Sequence, residues 1–344
     1  MRRMLDSIVG NSFIKSKLLA DIVSDSLSHA YIIEGKKGSG RHTVAYMIAA
    51  ALSCERLDDQ SAPLPCLTCP SCKKILEKKS PDVILTTKEE DKATFGVDVI
   101  RELRNDVHII PNELDYKIYL IEDADKMTVQ AQNAFLLTLE EPPKYVKFFL
   151  ICEDANVFLE TIRSRSQILR TEAIATEDID SFLQANNDEA KRLKLSNPHN
   201  YNELLMASQN SIGRAIELLN EKAFEQIAQT RALSRDFLAL LTSKNDSEKI
   251  LSLSLRFSKK RDELSSQLLT IETALRDVIA LDRTESAPLL FFYDREEALL
   301  LVDALSIRKL MQVYDAIKDT QTAISQNANV RLTIMNLFST TGII

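Results

Sequence analysis

Nine residues, Gly35-Lys36-Lys37-Gly38-Ser39-Gly40-Arg41-His42-Thr43, constrain the fold of this chain more than any others. An apolar run, Ala30-Tyr31-Ile32-Ile33, precedes them and a helix-forming run, Val44 to Leu52, follows. Strand, glycine loop and helix in that order form a phosphate-binding loop. The glycines let backbone N–H groups turn inward, and the helix N-terminus attracts the anion. After its last glycine the pattern asks for Lys and then Ser or Thr. Here Arg41 stands at the lysine position and His42 at that of the magnesium-holding hydroxyl. A guanidinium is a bulkier fork than an ammonium, and Mg²⁺ prefers oxygen ligands to imidazole. Thr43 could supply the hydroxyl only if the loop slipped by one residue.

Two acidic residues belong to the same chemistry. Lys117-Ile118-Tyr119-Leu120-Ile121 reads as a strand and runs straight into Glu122-Asp123. Beside a glycine loop, acids at the carboxyl end of a buried strand would hold Mg²⁺ and position water. Acids also end strands and cap helices, so the pair gains its meaning from the loop. Further strands are expected over 81–85 and 146–152. Helices are expected over 98–107 and 130–141, the second stopped by Pro142-Pro143. Residues 1–28 read as amphipathic helices. Alternating strands and helices predict a parallel sheet covered on both faces.

Residues 54–81 shift to Cys, Pro, Ser and Asp. Eleven residues separate Cys54 from Cys66, and Cys69 and Cys72 follow. Two overlapping CxxC steps plus a fourth thiol match a tetrahedral zinc site, structural because no position stays open. Small buried residues or a redox CxxC pair are the weaker readings. Cys152 is remote and is expected in the core.

From Thr171 onward no strand is legible. Short helices are expected over 177–185, 188–194, 202–208 and 211–219. Longer amphipathic ones follow over 224–241, 247–258, 261–279, 295–305 and 307–327, with a last one over 331–338. Seven glycines in 344 residues suit a mostly helical chain. A net charge of −7 disfavours stand-alone DNA binding. The basic runs Lys73-Lys74, Lys78-Lys79 and Lys259-Lys260-Arg261 read as solvated surface. No apolar run is long enough to span a membrane, and the first residues lack a signal-peptide core. A cytoplasmic protein with reduced thiols is therefore expected.

The run Gln132-Asn133-Ala134-Phe135-Leu136-Leu137-Thr138-Leu139-Glu140-Glu141-Pro142-Pro143 is more specific. With Ser164-Arg165-Ser166-Gln167 and the cysteine insertion, it resembles bacterial DNA polymerase III clamp-loader subunits of the AAA+ class. The resemblance covers roughly residues 5–230. It implies an α/β chain followed by an all-α one. A AAA+ P-loop parallel sheet would occupy residues 1–171, with a zinc knuckle at about 54–75. A helical lid would occupy 172–232 and a C-terminal helical collar bundle 233–344.

Against that family the chain departs at four places. Besides Arg41-His42, the Walker B order of Asp then Glu is reversed at Glu122-Asp123. Cys152-Glu153-Asp154 lies where the family often has a polar residue sensing the γ-phosphate. In Ser211-Ile212-Gly213-Arg214-Ala215-Ile216, Gly213 falls where the lid arginine belongs and Arg214 is one place on. Together the departures imply the non-hydrolysing delta-prime type rather than the gamma/tau motor. Gly35, Gly38, Gly40, Arg41, His42, Thr43, Glu122 and Asp123 would remain as a degenerate nucleotide site, with ATP bound weakly or not at all. Ser164-Arg165-Ser166 stays close to the family's Ser-Arg-Cys signature. Arg165 is thus implied as an arginine finger reaching a neighbouring subunit's ATP, with Arg163 as its nearest rival. The implied partners are gamma/tau and delta subunits, the sliding clamp and, through the complex, primer–template DNA. The alternative is a working gamma/tau-type ATPase in which Arg41 does the lysine's task.

Overall fold

The computed structural model describes residues 4–59, 61–88, 94–242, 247–284 and 286–342. It divides into two compact units. The first comprises Met1–Asp178 with Ser211–Gly213, the second Ile179–Asn210 with Arg214–Ile344.

In the first unit one helix, α1 (Ser12–Val23), precedes β1 (Ala30–Glu34) and α2 (Arg41–Leu52). The several N-terminal helices expected from the sequence reduce to this one. Leu5, Gly10 and Asn11 all take left-handed φ values, through which a right-handed helix does not continue. Then come α3 (Pro70–Leu76), β2 (Val83–Thr86), α4 (Val97–Asp106), β3 (Lys117–Ile121) and α5 (Val129–Glu140). β4 (Val146–Cys152), α6 (Glu160–Arg163) and β5 (Gln167–Arg170) complete the α/β part.

The strands lie in the order β2-β3-β4-β1-β5, and every neighbouring pair is parallel. β5 has no clear sequence signal, being four residues with polar ends. It is a strand because β1 offers it an edge, pairing Tyr31 to Glu34 with Gln167 to Arg170. Alternate residues feed opposite faces. Tyr31, Ile33, Phe149 and Ile151 pack with α1 and α2, while Ile32, Phe148, Leu150 and Cys152 pack with α4 and α5. Cys152 is a fully buried core residue, as its isolation in the sequence suggested.

The second unit is helical. α7 (Thr176–Asn186) crosses its boundary, and α8 (Asp188–Ser196), α9 (Pro198–Ala207) and α10 (Ile212–Glu217) follow. The longer helices are α11 (Glu221–Thr242), α12 (Ser247–Arg256), α13 (Arg261–Arg283), α14 (Arg295–Ala304), α15 (Ile307–Ser325) and α16 (Val330–Thr340). α11 runs unbroken through residue 232. Phe237, Phe257 and Phe338 meet edge-to-face at centroid distances of 5.8–6.4 Å and anchor the core of α11–α16.

A buried charge cluster joins α9 to α11. Glu203 accepts from Arg231 Nε at 2.8 Å and from Arg235 Nη2 at 2.6 Å, while Arg235 Nε reaches Glu297 at 2.9 Å. Arg261, read from the sequence as solvated, is instead tied down. Its guanidinium donates to Ile324 O, Asn327 Oδ1, Asn327 O and Ala328 O. A cation there suits the carboxyl end of α15, where it adds to the N–H that Ile324 O already accepts and ties down the two residues that follow the helix. No described helix is long and apolar enough to cross a membrane.

Candidate functional site

The parallel register brings the candidate residues together. β1, β3 and β4 are neighbours, so the segments leaving their carboxyl ends converge: the glycine loop, Glu122-Asp123 and Glu153. Glu34 pairs with Cys152, and Gly35 N–H donates to Cys152 O at 3.1 Å. Gly35 and Glu153 therefore leave the sheet side by side.

Gly38 and Gly40 take φ values of 82° and 81°, the left-handed conformation that glycine adopts without a steric cost. α2 begins at Arg41 directly after Gly40, with no slip of the loop, and Thr43 is exposed. Arg41 does not reach outward. It is 6% exposed, its Nη1 donates to Gly35 O at 2.6 Å, and its Nη2 pairs with Glu153 Oε1 at 3.2 Å. Its Nε is buried without a hydrogen-bond partner. The cation at the motif's lysine position thus turns back on the loop's own carbonyl.

The other candidate positions are also engaged internally. His42 Nε2 lies 3.5 Å from Glu122 Oε1. Burial pushes His42 below the usual histidine value, against the pull of Glu122. Asp123 has a φ of 50° and pairs with Lys126 Nζ at 2.6 Å. Burial opposes its charge, but the bond from Lys126 outweighs this and holds its carboxyl below the ordinary range.

The loop itself is pinned. Ser39 Oγ lies 2.9 Å from Thr171 Oγ1, and Ser211 Oγ donates to Gly38 O. A Cβ on Gly35 would sit 2.0 Å from Thr171 Oγ1, and one on Gly213 would sit 2.9 Å from Gly38 O. So no side chain fits at 213, where the lid arginine was sought. Arg214 is held by Gln209 Oε1 at 3.1 Å. The sequence flagged Glu153 as a poor phosphate sensor but did not pair it with Arg41. Its place after β4, matching Glu122 after β3, was the available signal. Thr171 and Ser211 carried none.

Arg165 follows α6, and its side chain is 39% exposed. Nη1 donates to Thr161 O at 3.1 Å and Nη2 faces Glu140 at 3.5 Å. Arg163, the rival, is less exposed. It donates to Asn156 Oδ1 at 3.2 Å and has a buried Nε without a partner.

The four cysteines of the insertion converge. The Sγ atoms of Cys54, Cys66, Cys69 and Cys72 all lie within 4.8 Å of one another, and all four residues are buried. Among the described residues no other such cluster forms. Pro70 opens α3 and Cys69 caps it, its sulfur accepting from Cys72 N–H at 3.4 Å. Cys66 Sγ accepts from Cys69 N–H at 3.4 Å and from Thr68 Oγ1 at 3.5 Å. Burial works against a thiolate at Cys66, but these bonds prevail and bring its pKa down to about 6. Burial pushes the Cys72 thiol well above the ordinary range. Four sulfurs at this spacing fit a tetrahedral ion with Zn–S bonds of about 2.3 Å. They could hold zinc, and a buried four-thiol set offers no other strong partners.

Comparison with known proteins follows the same residues. Residues 10–175 match the family described as DNA polymerase III, delta subunit. The chain is 32% identical over 215 residues to DNA polymerase III subunit delta' of Bacillus subtilis, covering 62% of this chain and 60% of that one. It is 34% identical over 177 residues to subunit tau of the same organism, covering 51% of this chain and 30% of that one. Subunit gamma of Buchnera aphidicola is 32% identical over 195 residues, covering 55% and 52%. The chain thus spans about half the length of the relatives it matches.

Proposed function

We propose that this chain, which by residues 10–175 belongs to the clamp-loader subunit family of DNA polymerase III, is a stator of delta-prime type that does not hydrolyse ATP itself. The observation that carries this reading is Arg41. Hydrolysis needs a cation reaching the β/γ-phosphates and an oxygen ligand for Mg²⁺. The guanidinium at that position is bonded to Gly35 O and Glu153, and His42, beside Glu122, offers no oxygen.

Arg165 supplies the complementary half. A half-exposed guanidinium, lightly held by Thr161 O and Glu140, is free to serve as a finger in trans on the ATP of a neighbouring motor subunit. There it stabilises charge on the transferring phosphoryl group. The zinc on Cys54, Cys66, Cys69 and Cys72 is structural. The helices after residue 171 divide into a lid and a collar that joins gamma/tau and delta subunits. The assembly places the sliding clamp on primer–template DNA in the cytoplasm. The competing reading, a gamma/tau-type motor, draws on near-equal identity to relatives of both kinds.

ATP turnover decides between the two, measured for the isolated chain and for its mixture with a motor subunit. The isolated chain should be silent. In the mixture Arg165→Ala should slow hydrolysis at the interface it completes by on the order of 10³-fold. Turnover by the isolated chain that Arg41→Ala abolishes would make it a motor.

A further inference from the structure

We infer that Glu153 and Arg41 form a latch that closes the phosphate cradle from within, so that Glu153 decides whether this chain can take a nucleotide. The inference rests on the stator reading and names why its site is idle.

The geometry that carries it is the convergence of β1 and β4. Their pairing sets Gly35 and Glu153 next to each other at the sheet's carboxyl edge. Arg41, the first residue of α2, reaches both: Nη1 to the Gly35 carbonyl and Nη2 to the Glu153 carboxylate. An incoming phosphate would have to turn this guanidinium outward, and so break both bonds. It would then stand beside a carboxylate that has lost its guanidinium partner, and like charges at such range repel. The acid in effect takes the place of the nucleotide's own negative charge.

The two halves of the latch differ in how far they can move. Arg41 is buried, and a shorter ammonium could not span both partners at once. Glu153 has a side chain that is 55% exposed, and its backbone N–H is held by Asp125 Oδ2 at 3.3 Å. Changing Glu153 therefore opens the latch without emptying the core. The remaining pins, Ser39 to Thr171 and Ser211 to Gly38, fix the loop in its curled form and leave the latch as the part that responds to charge.

The test is binding of Mg-ATP, and separately of inorganic pyrophosphate, to the full zinc-loaded chain by calorimetry, with thermal melts as a second readout. The variants are E153Q, the double variant R41K/E153Q, and E140Q as a control that removes a negative charge away from the cradle. The wild type and E140Q should show no saturation at about 1 mM ligand. E153Q should bind at least about tenfold more tightly, and R41K/E153Q more tightly still. ATP should raise the melting temperature of E153Q but not of the wild type. Three results would overturn the latch: tight ATP binding by the wild type, equal gains in E153Q and E140Q, or no binding by folded E153Q and R41K/E153Q. Tight binding by a wild type that does not hydrolyse would sink the latch and leave the stator reading standing. Hydrolysis by the wild type would sink the stator reading itself.

Discussion

The cysteine cluster and the glycine loop lie in the same unit, and sequence patterns mark both as ligand sites, yet their side chains are in opposite conditions. In the cluster four buried sulfurs face one another. Their partners are a few N–H and O–H donors at 3.4–3.5 Å and, for Cys72 Sγ, the Ala50 carbonyl at 3.5 Å, and no cation among the described residues is paired with them. In the loop the polar and charged groups answer one another: Arg41 with Glu153, His42 with Glu122, Asp123 with Lys126. A motif therefore shows what a segment is built from. Whether it still binds depends on whether its donors and acceptors already have partners.

Removing metal from the cluster should have the largest effect. Structural zinc contributes many kcal/mol to the folded state in small domains. Metal analysis should find about one zinc per chain, and Cys72→Ser should lose it along with several kcal/mol of stability in the first unit. A chelator-stripped chain melting within about 1 °C of the untreated one would break the comparison.

The second unit offers a buried arginine, Arg231, whose carboxylate partner Glu203 is also buried, unlike that of Arg41. Glu203→Ala should cost about 3–5 kcal/mol in denaturant unfolding, because it leaves the buried Arg231 guanidinium without its carboxylate while Arg235 keeps Glu297. The pH dependence has a definite sign. Burial opposes the charge on Glu203, but Arg231 and Arg235 outweigh it and lower its carboxyl below the ordinary 4.5. Its contribution is thus present above that value and is lost as pH falls below it, through the lowered folded value. Glu203→Gln should flatten the acid limb of the stability curve.

Arg41→Ala should cost less, on the order of 1–3 kcal/mol, since Gly35 O loses a donor while half-exposed Glu153 regains water. A loss as large as that of Glu203→Ala would mean the loop cation is a core element and not a latch. The smallest effect belongs to Arg165→Ala. Its exposed pair with Glu140 contributes about 0–1 kcal/mol. The melting temperature should barely move while turnover of the mixed complex falls, and a clear drop in stability would return Arg165 to a structural role.

Local pattern was enough for the alternation of strands and helices, the helical second half, the clustering of the four cysteines and the altered residues after Gly40. Each of these depends on neighbours in sequence: period, spacing and the conformations that glycine and proline permit. β5 was not legible, because its four residues become a strand only through the edge that β1 presents. Nor was the tie from Arg261 to the end of α15, which joins residues more than 60 positions apart. The state of the glycine loop belongs to the same class. Arg41 and Glu153 are 112 residues apart, and a parallel register alone brings them within reach. The order of residues determined which groups follow β1 and β4. Tertiary structure decided that they are used on each other, because electrostatic and hydrogen-bond partners are assigned by distance in space.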